Sequence, residues 1–334
     1  MTTPQNRTIL TGIKPTGTPH LGNYLGAIEP ALRRASEYEE AFFFIADYHA
    51  LNSVQDGETM RQLTRTVAAT WLAAGLDPSK IHLYRQSDVP EIFELDVILN
   101  NFVPKGWMNK MHGYKAAIDK NRLAGKLDDF DVNMGLYNYP ILMTSDIILF
   151  NANHVPVGRD QTQHVEIARD IAQRFNNQHN TPVFVLPEHV IVDEISEIPG
   201  LDGRKMSKSY NNTIPLYAGP DGWQQAVRKV VTDSIEHTSE TIRETTLFKI
   251  YATVASTEQA DSLASSLVEK SIGWKDAKDL LTEAIDSRFS SQAARFNELM
   301  SNPEYIDGVL ADGAAKVRPI AQAQLARVKS VLGI

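Results

Sequence analysis

Three stretches of this 334-residue chain carry side chains whose types and spacing could do chemistry. The first is Gly12-Ile13-Lys14-Pro15-Thr16-Gly17-Thr18-Pro19-His20-Leu21-Gly22-Asn23, which leads into an apolar stripe of Leu21, Leu25, Ile28 and Leu32 at helical spacing. A His and an Asn at a helix start, beside a small Gly, set ring and amide donors and the positive end of the helix dipole against an anion. The segment therefore reads as a phosphate site. It lacks the glycine and lysine spacing of a Walker A loop or a GxGxxG fingerprint, and a plain strand-to-helix turn capped by Asn23 is the alternative. The second stretch is Gly203-Arg204-Lys205-Met206-Ser207-Lys208-Ser209. Two lysines three apart, among small hydroxyl residues, make a compact cationic loop suited to the β- and γ-phosphates of a nucleotide; a solvated basic linker is the bland reading. In the third, residues 139–150, a helix would put Tyr139, Met143, Asp146 and Phe150 on one stripe. A carboxylate on an apolar stripe needs a partner, because burying it unpaired is costly. An indole N–H, which only donates, is such a partner; a neighbouring Ser, Thr or Tyr hydroxyl is another.

The elements that must position these groups follow an α/β pattern. Residues 8–12, 41–47 and 81–86 are predicted strands, and Leu63, Val67, Trp71 and Ala74 mark a helix between the second and third that stops at Gly75. That is one βαβ unit of a parallel, Rossmann-like sheet, whose ligands bind at the carboxyl ends of the strands. Residues 115–131 are charged and without apolar periodicity, so they read as an inserted mobile segment. Residues 198–220, rich in Gly and Pro, mark a boundary, and the remainder shows helical periodicity such as Leu247, Ile250 and Tyr251. The expected organisation is a catalytic domain over 1–212, with an insertion at roughly 100–150, and an all-α domain over 213–334.

Composition narrows the class further. With 43% hydrophobic and 22% charged residues the chain is an ordinary globular sequence, too apolar for disorder. Its net charge of −8 gives no bulk attraction to nucleic acid or anionic lipid, so neither DNA nor a membrane is an expected partner, and any polyanion must be held locally. The absence of cysteine excludes disulfides, zinc–thiolate sites and Cys nucleophiles, and fits a reducing cytoplasm. Apolar runs are far too short to span a bilayer.

Gly-Thr-Pro-His-Leu-Gly-Asn at 17–23 and Lys-Met-Ser-Lys-Ser at 205–209 together resemble the double signature of class I aminoacyl-tRNA synthetases. Residues 135–150, 155–164, 43–50 and 169–176 closely resemble the tryptophanyl members of that family, with 231–234 echoing them beyond. The resemblance implies in-line attack of a tryptophan carboxylate on the α-phosphate of ATP, followed by transfer to the terminal ribose of tRNA(Trp). Asp146 would accept the indole N–H. Tyr139 and Gln161 would hold the amino-acid end, Met143, Ile147, Val155 and Val157 would wall the ring, and His49 would join them. Gly158, Arg159 and Asp160 would meet ribose and adenine, and the Ile198 backbone would meet adenine. His20 and Asn23, with Lys14, Pro15, Thr16 and Gly22, would serve the phosphates. Lys205 and Lys208 would close over pyrophosphate, with Met206, Ser207 and Ser209 joining them in binding ATP. Mg²⁺ would travel with ATP, and no protein metal site is implied. Family members are homodimers, so an isologous interface through the insertion is implied, as is anticodon reading by the helical domain.

The chain departs from the commoner pattern at Lys14, where many relatives carry an amide, at Gly113, and at Ala117, where a lysine is expected. Lys115 is therefore the expected mobile-loop cation, with Lys120 second. His164-Val165-Glu166 opens like a zinc deaminase motif but lacks its cysteines, Asp128, Asp129 and Asp131 read as a solvated acidic face, and Trp71 reads as core. The rival readings are tyrosine activation and a synthetase-like tryptophan or RNA sensor that does not charge tRNA.

Overall fold

The computed structural model describes residues 7–191, 198–232 and 236–334; the end of the 231–234 echo lies outside the described residues. Five parallel strands form one sheet: β1 (Thr8–Ile13), β2 (Glu40–Ile45), β3 (His82–Arg85), β4 (His154–Val157) and β5 (Glu188–Ile191), in the order β3-β2-β1-β4-β5. The order reverses between β1 and β4, and the carboxyl ends flanking that switch are where an open α/β sheet leaves a crevice. β1 runs in register with β2 from Thr8 opposite Glu40 to Ile13 opposite Ile45.

The first crossover begins with α1 (Leu21–Asn23), passes through a π-turn over Tyr24–Ile28, and continues as α2 (Glu29–Ala35). The short α3 (Asp47–Ala50) follows β2, and α4 (Gly57–Ala73) is the predicted second crossover, capped by Asp56 through the Thr59 N–H. Beyond β3 come α5 (Pro90–Leu99), α6 (Lys105–Met108), α7 (His112–Leu123), α8 (Met134–Tyr137) and α9 (Tyr139–Ile148). The segment expected to be irregular at 115–131 is thus half helix. Polar ties replace an apolar stripe there: Arg122 pairs with Asp128, Tyr114 donates to Asp129, and Asn121 donates to the carbonyls of Asp128 and Phe130. α10 (Thr162–His179) connects β4 to β5 and ends on Asn180 in the left-handed region.

Among the described residues the α-helices that follow are α11 (Gly219–Val227), α12 (Ser239–Glu244), α13 (Thr246–Val254), α14 (Thr257–Val268), α15 (Trp274–Met300) and α16 (Pro303–Leu332). Side chains alternate across the sheet. Ile9, Phe43, Ile45 and Leu83 join Val67, Trp71 and the buried residues of α11 to α15 in one core; Leu10, Phe42, Phe44 and Tyr84 join α5, α9 and α10 in the other. α16 belongs to both. Its Ile306 and Leu310 lie in the first core, and Val317, Ala321 and Leu325 in the second, as the helix passes the β3 edge. The approach is so close that a Cβ on Gly313 would fall 1.8 Å from the Leu83 carbonyl oxygen. Arg318 clamps the buried Glu91 of α5 with two N–H groups, and Arg65 of α4 grips Asp307 in the same way. The helical region is therefore continuous with the sheet's own packing.

Candidate active site

The carboxyl ends of β1 and β4 open onto a cavity of about 270 Å³. All eight side chains expected around tryptophan line it: Tyr139, Met143, Asp146 and Ile147 from α9, Val155 and Val157 from β4, Gln161 from the turn beyond, and His49 from α3. Lys14 and Gly158 complete its mouth, and Phe44 its floor. Bare Gly12 makes the floor possible, since a Cβ there would meet the Phe44 ring at 2.4 Å. Phe150, the fourth member of the expected stripe, lies past the end of α9 and instead stacks on Phe42 at 4.8 Å between centroids. Trp71 is core, with its ring edge on Phe43, and its indole also reaches the cavity wall.

Asp146 is fully buried (0% exposed), and its partners are not the Ser, Thr or Tyr hydroxyl considered from sequence. Oδ2 accepts from His49 Nε2 at 2.8 Å, and the Gln86 amide donates to both oxygens, at 2.8 and 3.0 Å. Gln86 is itself oriented because its Oε1 accepts the Tyr48 N–H at 3.1 Å. Burial pushes the Asp146 carboxyl up and the His49 and Gln86 hydrogen bonds pull it back. Two donors on Oδ2 and one on Oδ1 leave Oδ1 with unused acceptor capacity at the cavity wall. Gln86 was missed from sequence, although its place at the end of the third predicted strand, where ligands gather, was the available signal.

The phosphate-type loop is built as its residues suggest. His20 caps α1: its Nδ1 accepts the Asn23 N–H at 3.3 Å while Asn23 Oδ1 accepts the His20 N–H at 3.1 Å. Asn23 thus keeps its amide N–H₂ and His20 must carry its proton on Nε2. Burial first, and the Lys208 charge second, push the His20 imidazole down to about 4, so it is neutral at pH 7. Pro15 is buried and Thr16 exposed in the same loop, and the Lys14 ammonium lies 5.3 Å from the Tyr139 ring centre, its pKa lowered by burial.

The cationic loop docks directly on this one. Leu21 N–H donates to Ile214 O at 2.9 Å and Leu216 N–H to Pro19 O at 3.2 Å. Met206 Sδ accepts the Gly22 N–H at 3.3 Å. Lys208 Nζ lies 3.0 Å from where a Cβ on Gly17 would stand, and burial lowers its pKa. Ile198 anchors the loop by accepting the Met206 N–H at 2.9 Å, and Ser207 and Ser209 share a hydrogen bond. Lys205 is exposed. Gly158 and Arg159 stand exposed beside the cavity mouth, Gly158 accepting the Gln161 N–H; the side chain of Asp160 lies outside the described residues. Lys115 and Lys120 are exposed on α7 and neither lines the cavity. Among the described residues no group of three or more His, Cys, Asp or Glu could hold a metal, and no helix is long and apolar enough to cross a membrane.

A doubly wound parallel sheet, with an aromatic cavity at its switch point and a cationic loop docked on a phosphate-type loop, is the arrangement of a nucleotide-binding enzyme. Residues 3–290 match the family described as tRNA synthetases class I (W and Y). The chain is 48% identical over 332 residues to a tryptophan–tRNA ligase of Bordetella parapertussis, covering 98% of this chain and 73% of that one. It is 46% identical over 329 residues to that of Neisseria meningitidis, covering 98% and 97%. A tryptophanyl-tRNA synthetase of Campylobacter jejuni, solved with ADP and tryptophan, superposes with a TM-score of 0.89 at 36% identity over 98% of this chain and 100% of that one. The chain belongs to the class I aminoacyl-tRNA synthetases, in the tryptophanyl group.

Proposed function

We propose that the protein activates L-tryptophan with ATP, releases pyrophosphate, and passes the tryptophanyl group to the 3′ end of tRNA(Trp), the work of a tryptophan–tRNA ligase. The observation that carries the tryptophan assignment is Asp146: buried in an otherwise largely apolar cavity, held by His49 and Gln86, with acceptor capacity left over. An indole N–H fits that acceptor, and the ring fills the space between Met143, Ile147, Val155 and Val157. Tyr139 and Gln161 then hold the amino-acid end toward the cavity mouth.

ATP enters as its Mg²⁺ complex, the ion being held by phosphate oxygens, so the cationic surroundings need no carboxylate cage. A tryptophan carboxylate oxygen attacks the α-phosphorus, the bond from that phosphorus to the β-phosphate oxygen breaks, and pyrophosphate leaves. No proton moves in this step, so alignment and charge stabilisation do the work. His20 donates from Nε2 and Asn23 from its amide, Lys205 and Lys208 neutralise the departing phosphates, and Gly158 with Arg159 and Asp160 seats the ribose and adenine. In the second step a tRNA ribose hydroxyl attacks the activated carbonyl, the bond from that carbon to the phosphate oxygen breaks, and AMP leaves as the hydroxyl proton passes to the departing phosphate or to water. The helical region over 213–334 reads the anticodon, and the cytoplasm is the compartment.

A symmetric homodimer fits the same reading. Phe93 and Val97 are exposed one turn apart on α5, and Leu123 and Leu127 are 92% and 82% exposed in the segment after α7 begins, an apolar surface a monomer would leave wet. The reaction is tested by pyrophosphate exchange into ATP with each of the twenty amino acids in turn. Exchange with tryptophan alone is expected; exchange with tyrosine alone would overturn the assignment, and none at all would favour the sensor.

A further inference from the structure

Asn212 follows Lys208 by four residues, lies outside both signature strings, and is 2% exposed. Its side-chain amide is used at both ends. Oδ1 accepts the Ser207 N–H at 2.8 Å, while Nδ2 donates to Asp202 Oδ1 at 2.6 Å and to the Lys205 carbonyl at 3.1 Å. Its backbone carbonyl accepts the Leu201 N–H at 2.8 Å. Gly200 makes room for it, since a Cβ there would fall 2.3 Å from the amide carbon. Asp202, so engaged, holds Arg204 through two N–H groups at 2.8 and 2.5 Å.

One buried amide thus grips the backbone on either side of Met206: the carbonyl of Lys205 before it and the N–H of Ser207 after it. Those two contacts set the curvature of the peptide between the two lysines. That curvature turns Met206 inward to the Gly22 N–H and leaves Lys208 arched over Gly17 beside His20. Only a group with a donor and an acceptor on one short stem can make both contacts, and a neutral one does so without placing negative charge beside phosphates. We propose that Asn212 is a positioning residue of the activation step, which fixes the loop so that Lys205 and Lys208 meet the leaving pyrophosphate. The inference rests on the reading that those lysines serve the phosphates.

The test compares Asn212→Asp, Asn212→Ala, Asp202→Asn and the exchanged pair Asp202→Asn/Asn212→Asp, using the full-length enzyme and tryptophan-dependent pyrophosphate exchange normalised to active sites. Asn212→Asp keeps the acceptor for Ser207 but sets a carboxylate against Asp202 and the Lys205 carbonyl. It and Asn212→Ala are expected to lower kcat on the order of 10²-fold, the scale of a displaced catalytic group, with the KM for tryptophan within about twofold of the parent. The exchanged pair restores a donor facing an acceptor and is expected to recover about tenfold of the Asn212→Asp loss, a rescue that follows from the double-mutant logic of contacting residues. An unchanged kcat in both Asn212 variants overturns the inference. So does loss of tryptophan binding in Asn212→Asp, which would assign the residue to the fold. Lys208→Ala is measured alongside: if it leaves kcat intact, the phosphate reading itself falls, whereas a damaged Lys208→Ala with an intact Asn212→Ala overturns the positioning role alone.

Discussion

At the scale of residues, the decisive arrangement is a buried carboxylate kept as an acceptor by two fixed donors. Replacing Asp146 with Ala strands His49, Gln86 and the indole N–H together, and is expected to reduce kcat/KM for tryptophan by about 2 to 4 kcal/mol while the KM for ATP stays near the parent value. An unchanged kcat/KM would remove Asp146 from recognition. His20 carries a second prediction. Its ordinary pKa of 6.5 falls to about 4 in the folded protein, chiefly by burial. The unfolded chain therefore binds a proton that the folded chain refuses, and this residue's share of stability is lost as pH falls from about 6.5 toward 4. His20→Gln should flatten that part of the stability profile, and ¹⁵N NMR should show a neutral ring, protonated on Nε2, at pH 6. Most of these residues were legible in the sequence because their types are unusual for their surroundings: an acid on an apolar stripe, a His and Asn at a helix start, paired lysines among serines. Gln86 and Asn212 were not, since an amide is unremarkable until its partners arrive from 60 and 5 residues away.

At the scale of elements, periodicity identified the βαβ unit, because its strands and helix bury alternating and helical apolar sets, and the conditional reading of a helix over 139–150 met α9, which ends at Ile148. It failed on α7, whose helix is tied by Arg122, Asn121 and Tyr114 rather than by a stripe, and on β4 and β5, four residues each and too short to show a period. The element contact that matters most for the site lies on its far side. β3 ends one residue before Gln86, and α16 presses on β3 through Gly313. Gly313→Ala forces a methyl into the Leu83 backbone and should cost about 1 to 3 kcal/mol of stability by denaturant melting. The strand shift should also raise the KM for tryptophan through Gln86; a destabilised variant with an unaltered KM would separate α16 from the site.

At the scale of the whole molecule, chain length and the Gly- and Pro-rich stretch at 198–220 suggested two units; the structure adds that α11 to α15 share one core with the sheet and that α16 reaches both, through contacts that single-sequence periodicity does not encode. The exposed apolar residues of α5 and the insertion were equally silent, since each looks ordinary alone. The proposed symmetric dimer predicts that the parent sediments as a dimer and that Leu123→Glu with Leu127→Glu sediments as a monomer with the fold intact; an unchanged dimer would place the interface elsewhere, and a monomeric parent would remove the dimer. The proposed selection of tryptophan comes down to one hydrogen bond from the indole N–H to Asp146, and an analogue with that N–H replaced by sulfur, β-(benzothien-3-yl)alanine, probes it without altering the protein. In pyrophosphate exchange the parent enzyme is expected to use this isostere with a kcat/KM roughly 10- to 100-fold below that for tryptophan, and Asp146→Ala to narrow the gap. Equal kcat/KM for the two amino acids in the parent enzyme would contradict the account.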